Sequence, residues 1–257
     1  MASVFGLDIG GSGIKGAPVD LERGELAAER VRLLTPEGAR VDDVAATVAQ
    51  VVDGFGYKGL VGATFPAVIV NGVARTAANV DKGWIDTDVA ATLSASTGCH
   101  VVAVNDADAA GLAEMRFGVG RDVKGTVALL TFGTGIGSAL FLDGALVPNT
   151  ELGHLEIDGS DAETKTADSA REREGLTWEH WAHRLSKYLQ HFEALLWPDL
   201  IILGGGVSKK AEKFLPFVVD VRTKVVTAQL QNGAGIIGAA LYAAELYPAE
   251  AERTASG

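Results

Sequence analysis

Apolar positions along the chain fall into short runs suited to buried strands and longer stretches at helical spacing. Ser3–Asp8 and Ile14–Val19 read as strands, separated by Gly10-Gly11-Ser12-Gly13, a tight glycine turn. Val41–Phe55 sets Val41, Val44, Ala45, Val48, Val51 and Val52 on one helical face, and Leu60–Thr64 follows as a strand ending at Phe65-Pro66. Asp88–Thr97 predicts a short helix feeding the apolar run Val101–Val104. That run stops at Asn105-Asp106, start signals for a helix over Ala107–Met115. Gly125–Phe132 and Ser138–Leu142 read as strands around Gly133-Thr134-Gly135-Ile136-Gly137, and Thr177–Leu196 is a strong amphipathic helix. Leu200–Leu203 is a strand running into Gly204-Gly205-Gly206, with a helix predicted from there. Gly233–Ala244 predicts an Ala/Gly-rich closing helix, and Glu250–Gly257 a frayed tail.

Strands alternating with helices make this an α/β protein. Two strand–glycine turn–strand units suggest a duplicated architecture whose loops face one cleft. Gly11, Gly13 and Gly16 match the dinucleotide pattern G-x-G-x-x-G, but the context is wrong, because IKGAPVD continues as a strand containing Pro18. The first loop is instead a hairpin whose backbone N–H groups can cradle a phosphate, with Asp8 at its entry. A carboxylate such as Asp106, at the end of a buried strand and the start of a helix, sits where open α/β sheets bind ligands. The competing reading is that Asp106 or Asp108 only caps the helix. Glu151 and His154 form a second polar set after the second glycine turn. Asn79–Trp84 reads as a polar loop, and Trp178, Trp181, Tyr188 and Phe192 as core or interface.

Composition narrows the class. The chain has 257 residues, 47% hydrophobic and 21% charged, as in a soluble globular enzyme. Its one cysteine, Cys99, excludes an internal disulfide and a multi-cysteine zinc site, and no ligand set stands at metal spacing. No signal-like or membrane-spanning run is present, so a cytoplasmic protein without membrane partners is expected. A formal net charge of −11 argues against nucleic acid as a partner. Against that acidity, Gly204–Thr227 carries Lys209, Lys210, Lys213, Arg222 and Lys224 with only Glu212 and Asp220, a local basic track for a smaller polyanion.

LDIGGSGIKG, VNDADAA, LLTFGTGIGSAL, ELGH and LIILGGGVS occur in the order found in the ROK family of sugar kinases, which this chain resembles from its first strand to its last helix. The resemblance implies a two-domain hexokinase/actin-like (ribonuclease H-like) fold with a cleft between the domains. The boundaries would be 1–104, 105–234, and a helix 235–250 packing back toward the N-terminal domain. TFPAVIVNGVARTAANVDKGW, LTWEHWAHRL, LLWPDLIILGGGVSKKAEKF and LQNGAGIIGAA are most similar to the polyphosphate-dependent glucokinases of that family. Phosphoryl transfer from inorganic polyphosphate to the glucose 6-hydroxyl is therefore expected, with ATP as the alternative donor and mannose as a further acceptor. By resemblance, Asp106 is the general base, and Asn79, Asn105, Asp106, Glu151 and His154 bind the sugar. Asp8, Gly10, Gly11, Ser12, Gly13 and Lys15 form the first phosphate loop, Thr134, Gly135 and Gly137 the second. Gly205 and Gly206 mark the donor site, from which Lys209 and Lys210 lead outward. Mg²⁺ is expected to travel with the donor near Asp8. The cysteine-rich zinc motif of many relatives is missing after His154, so no zinc is expected, and Glu163, Glu172 and Glu174 remain equal candidates for the sugar-binding Glu that follows it. A homodimer is expected from the aromatic-rich helix Thr177–Leu196 and its flanks, and from the family habit. The seven residues before Asp8 leave no room for the helix-turn-helix of the family's repressors.

Overall fold

Apolar and small residues buried almost continuously along the strands build the first sheet. In the computed structural model, which describes residues 3–78 and 80–254, β1 (Ser3–Gly10) and β2 (Gly13–Asp20) pair antiparallel, with Gly10 opposite Gly13 across a two-residue turn. The short strands β3 (Glu25–Leu26) and β4 (Val31–Leu33) both pair with β2. Helix α1 (Val41–Asp53) buries Val44, Val48, Val51 and Val52, the face the spacing predicted. Next come β5 (Leu60–Phe65), the small hairpin β6 (Ile69–Val70) and β7 (Val73–Ala74), and α2 (Val89–Thr97). Asp88 caps α2 by accepting from the Ala91 N–H at 2.8 Å. β8 (His100–Asn105) runs parallel to β5, and β5 parallel to β1. Helix α3 (Asp106–Phe117) leaves directly from β8.

The second sheet is ordered β11-β10-β9-β14-β15. β9 (Thr126–Phe132) and β10 (Ile136–Leu142) form its glycine-turn hairpin, and β11 (Ala145–Val147) extends it. The hairpin β12 (Glu156–Ile157) and β13 (Ser160–Asp161) leads to α4 (Glu163–Thr166), α5 (Asp168–Arg173) and the long α6 (Trp178–Leu196). β14 (Leu200–Gly205) is parallel to β9 on one side and to β15 (Lys224–Thr227) on the other. Between them lies α7 (Ala211–Phe214), and the chain closes with α8 (Ala234–Leu246) and α9 (Pro248–Thr254).

Two compact units result: Met1–Ala113 with Asn232–Gly257, and Glu114–Gln231. In the first, Phe5, Leu7, Ile14, Val61, Phe65 and Trp84 are fully buried, each contributing on the order of 2 kcal/mol. Gly62 lets α8 lie directly on this sheet, since a Cβ there would fall 1.8 Å from the Ala239 carbonyl oxygen. In the second, Phe132, Trp181, Tyr188, Phe192 and Phe214 form the aromatic core.

Four expectations are corrected or completed. Trp181, Tyr188 and Phe192 are buried within their own unit, so these rings are core, while Trp178 is partly buried and Leu195 on the same helix is exposed. The helix expected after Gly204-Gly205-Gly206 is only a 3-10 turn, Gly206–Lys210, and the single turn of α7; Gly206 and Ser208 are poor helix formers, and Pro216 lacks the N–H that would continue the α-helical hydrogen bonding. The tail is ordered through Thr254, because Pro248 suits a first helical turn and Glu250 bonds His100 at 2.8 Å while Tyr247 packs edge-on against the same ring. The loop before Trp84 is likewise more than surface: Trp84 is buried against Phe65 and donates to the Ala39 carbonyl at 2.9 Å.

Candidate active site

In the first unit, β1, β5 and β8 bring polar residues to their common C-terminal end. Asp8 stands opposite Thr64, and Phe65 opposite Asn105. Thr64 donates to Asp8 at 3.3 Å and accepts from the Ile9 N–H at 3.1 Å. Lys15, opposite Asp8 on β2, holds its other carboxylate oxygen at 2.8 Å. Arg32 donates to the Ser12 carbonyl at 3.1 Å, and Thr35 bonds the Gly10 carbonyl, so the glycine turn is braced from outside. A cavity of about 450 Å³ opens beside Gly11, lined by Thr35, Glu37, Ala78, Val80 and Asp81 among others. Asn79 lies outside the described residues.

The capping question is settled at Asn105. Its buried side-chain oxygen accepts from the N–H groups of Ala107 and Asp108 at 2.9 and 3.1 Å, while its amide donates to the Ala67 carbonyl at 3.1 Å. Asp106 is therefore an exposed carboxylate in the first turn of α3, with one oxygen 2.9 Å from the Ala107 N–H.

In the second unit, three segments converge on the start of β10. The second loop is closed by a Gly133 N–H bond to the Gly135 carbonyl at 3.0 Å and held by Ser169 of α5, which bonds the carbonyls of Gly133 and Thr134. Gly153 sits where a Cβ would come 2.2 Å from the Ile136 carbonyl oxygen, so the Glu151–His154 turn docks directly on that strand. Glu163 accepts from the Ile136 N–H at 3.0 Å, and its carboxylate occupies the space a Cβ on Gly135 would need. This distinguishes the three open glutamates: Glu163 joins the set, whereas Glu172 pairs with Arg171 and Glu174 with Arg184. Gly205 lies opposite Phe132, which sets the third glycine segment beside the second loop at the ends of parallel strands.

His154 bonds Asp161 at 2.7 Å through Nδ1, and its Nε2 is 3.8 Å from Glu151. That hydrogen bond is the main cause of a raised His154 pKa; desolvation opposes it, and the charges of Asp161, Glu163 and Glu151 add to it. Desolvation raises the Glu151 pKa, with His154 opposing and Glu163 reinforcing, although 41% of the Glu151 side chain is accessible. Donor atoms of His154, Asp161 and Glu163 lie within 4.8 Å of one another, a grouping that sequence spacing did not reveal. Each already has a hydrogen-bond partner: His154 in Asp161, Asp161 in the Glu163 N–H, Glu163 in the Ile136 N–H. Lys209 and Lys210 are exposed, and Lys210 with Arg171 flanks the Trp178 ring at 5.5 and 4.0 Å. Thr64, Arg32 and Asp161 escaped sequence reasoning. Only Thr64 left a signal, a hydroxyl at the end of an apolar strand.

A model of the ROK family matches residues 4–170. The chain belongs to the ROK family. It is 53% identical over 238 residues to polyphosphate glucokinase of Mycobacterium tuberculosis, covering 92% of this chain and 89% of that protein. The inorganic polyphosphate/ATP-glucomannokinase of Arthrobacter sp. strain KM is 52% identical, with a TM-score of 0.92 over 96% of this chain and all of the other. A ROK glucokinase from Streptomyces griseus, at 23% identity, shares the fold, with a TM-score of 0.78 over 95% of this chain and 99% of the other. The expected actin-like hexokinase fold of ROK sugar kinases is borne out.

Proposed function

We propose that the protein transfers a phosphoryl group from inorganic polyphosphate to the 6-hydroxyl of glucose. The observation that carries this is the 52–53% identity, over nearly the whole chain, to proteins named polyphosphate glucokinase and inorganic polyphosphate/ATP-glucomannokinase. Phosphoryl transfer asks little covalent chemistry of a protein, only in-line positioning and neutralised charge. Asp106 accepts the proton of the attacking hydroxyl. Asn105 is spent mainly on capping, so its remaining amide hydrogen is what it offers the sugar. Glu151, His154 and Glu163 hold the ring hydroxyls. Backbone N–H groups of the loops at Gly10–Gly13 and Thr134–Gly137 meet phosphate oxygens, with Gly205 and Gly206 alongside the second loop and Lys209 and Lys210 further out.

Asp8 fits a divalent cation carried with the donor: it is a part-exposed carboxylate at the mouth of the first glycine turn, and Mg²⁺ takes one or two carboxylates plus phosphate oxygens. When bound, Mg²⁺ supplies charge neutralisation on the phosphates. The same unit as α6 exposes Leu195, Trp197, Phe217 and Val219, and residues 219–222 lie along that helix through a Gln190–Val219 bond and Arg222 over Trp197; this apolar surface supports a homodimer. We expect the protein to work in the cytoplasm. The deciding experiment measures glucose 6-phosphate formation with polyphosphate and with ATP side by side. Faster turnover with polyphosphate is the expected result. Faster turnover with ATP supports the second donor reading, which the polyphosphate/ATP relative favours, and no product with either refutes the proposal.

A further inference from the structure

His154 sits on an exposed 3-10 turn, Leu152–His154, with half of its side chain accessible. An imidazole so placed can rotate and exchange tautomers unless something fixes it. Asp161 does so. The β12–β13 hairpin pairs Glu156 with Asp161 and returns the chain beside the turn, where one Asp161 oxygen meets His154 Nδ1 at 2.7 Å. Its other oxygen accepts the Glu163 N–H at 3.1 Å, and its carbonyl accepts the Thr164 hydroxyl at 2.7 Å. One carboxylate thus ties the imidazole to the residue whose carboxylate braces the second glycine loop.

We propose that Asp161 is a positioning residue for the acceptor sugar, holding His154 in its Nδ1–H tautomer and Glu163 in register with it. This rests on the reading of His154 as a sugar-binding residue. In that tautomer the neutral Nε2 is an acceptor, and Glu151 is a second acceptor 3.8 Å away. Two acceptors side by side suit hydroxyl donors and repel phosphate, so the arrangement selects the polyol end of the reaction.

The tests are ¹⁵N NMR of the imidazoles, with His154 assigned by H154Q, and kinetics of H154Q, D161N and D161E. Above its raised pKa, where the ring is neutral, wild-type His154 is expected to carry its proton on Nδ1. D161N, which keeps an acceptor for the Glu163 N–H, is expected to raise the glucose KM about tenfold, the scale of one charge-assisted hydrogen bond. Its kcat at saturating glucose and its KM for polyphosphate should stay within about threefold, a split that general loss of structure does not produce. D161E is expected to restore part of the glucose KM. An Nε2–H tautomer in the wild type overturns the proposal, whether or not D161N folds. So does a normal glucose KM in D161N when H154Q raises it; a normal glucose KM in H154Q refutes the underlying sugar-site reading as well.

Discussion

Asn105 caps the helix and is buried, while the Asp106 carboxylate is exposed in the first turn with one oxygen on the Ala107 N–H. If that carboxylate is the base, Asp106→Asn keeps size and polarity but loses the proton acceptor. Turnover is expected to fall by at least ~10² with glucose affinity within a few-fold, measured by steady-state kinetics and calorimetry; near wild-type turnover rejects the role. His154 carries a pH signature. Asp161, Glu163 and Glu151 all face it, and its pKa lies above the ordinary 6.5. The folded protein therefore binds this proton more tightly than the unfolded chain, so the pair adds stability below about pH 6.5 and loses it as pH rises through the raised value. The melting-temperature advantage of wild type over Asp161→Asn should be largest near pH 5.5 and shrink toward pH 8. A difference that does not vary with pH contradicts this account.

At the scale of elements, the parallel pair β9 and β14 shapes the proposed donor side, because it sets Gly205 against Phe132 and so the third glycine segment against the second loop. The segment that follows is a 3-10 turn and not a long helix, so no extended helix dipole is available there and side-chain charge must do more of the work. Lys209 and Lys210 are exposed on that turn. Reversing both, Lys209→Glu with Lys210→Glu, is expected to raise the KM for long polyphosphate while leaving that for glucose nearly unchanged. Added salt should imitate the effect, since surface charges reach only about 8–10 Å at physiological ionic strength. Unaltered polyphosphate kinetics in the double variant would remove these lysines from the donor path.

At the scale of the whole molecule, stability rests on two cores, one aliphatic with Phe5, Phe65 and Trp84, the other aromatic around α6. Among the described residues no helix is long and apolar enough to cross a membrane. The His154–Asp161–Glu163 group is hydrogen-bonded within itself and to β10, so the expectation that no structural metal sits there is open to a direct test. A chelator is accordingly expected to stop catalysis by removing the donor's Mg²⁺ while shifting the melting temperature by less than about 2 °C, as bound ligands stabilise only what they bind when folded. Calorimetry with and without chelator checks this; a large drop in melting temperature points to a structural ion.

Local pattern by itself determined the helices α1 and α6, whose one buried face is written into residue spacing, and the strands β1, β2 and β8, whose near-continuous burial is written as short apolar runs. It also determined the glycine turns and the Asn105-Asp106 junction, whose chemistry depends on neighbours in sequence. Only the tertiary structure decided which of Glu163, Glu172 and Glu174 joins Glu151 and His154, since that choice depends on Gly135 and Ile136, some 27 residues away from Glu163. The same holds for Asp161 beside His154, for Thr64 beneath Asp8, and for the aromatic face of α6, which its own sequence could not assign to core or interface. Hydrogen bonds and packing between segments distant in the chain leave no periodicity to read, so those contacts become visible only when the sheets are formed.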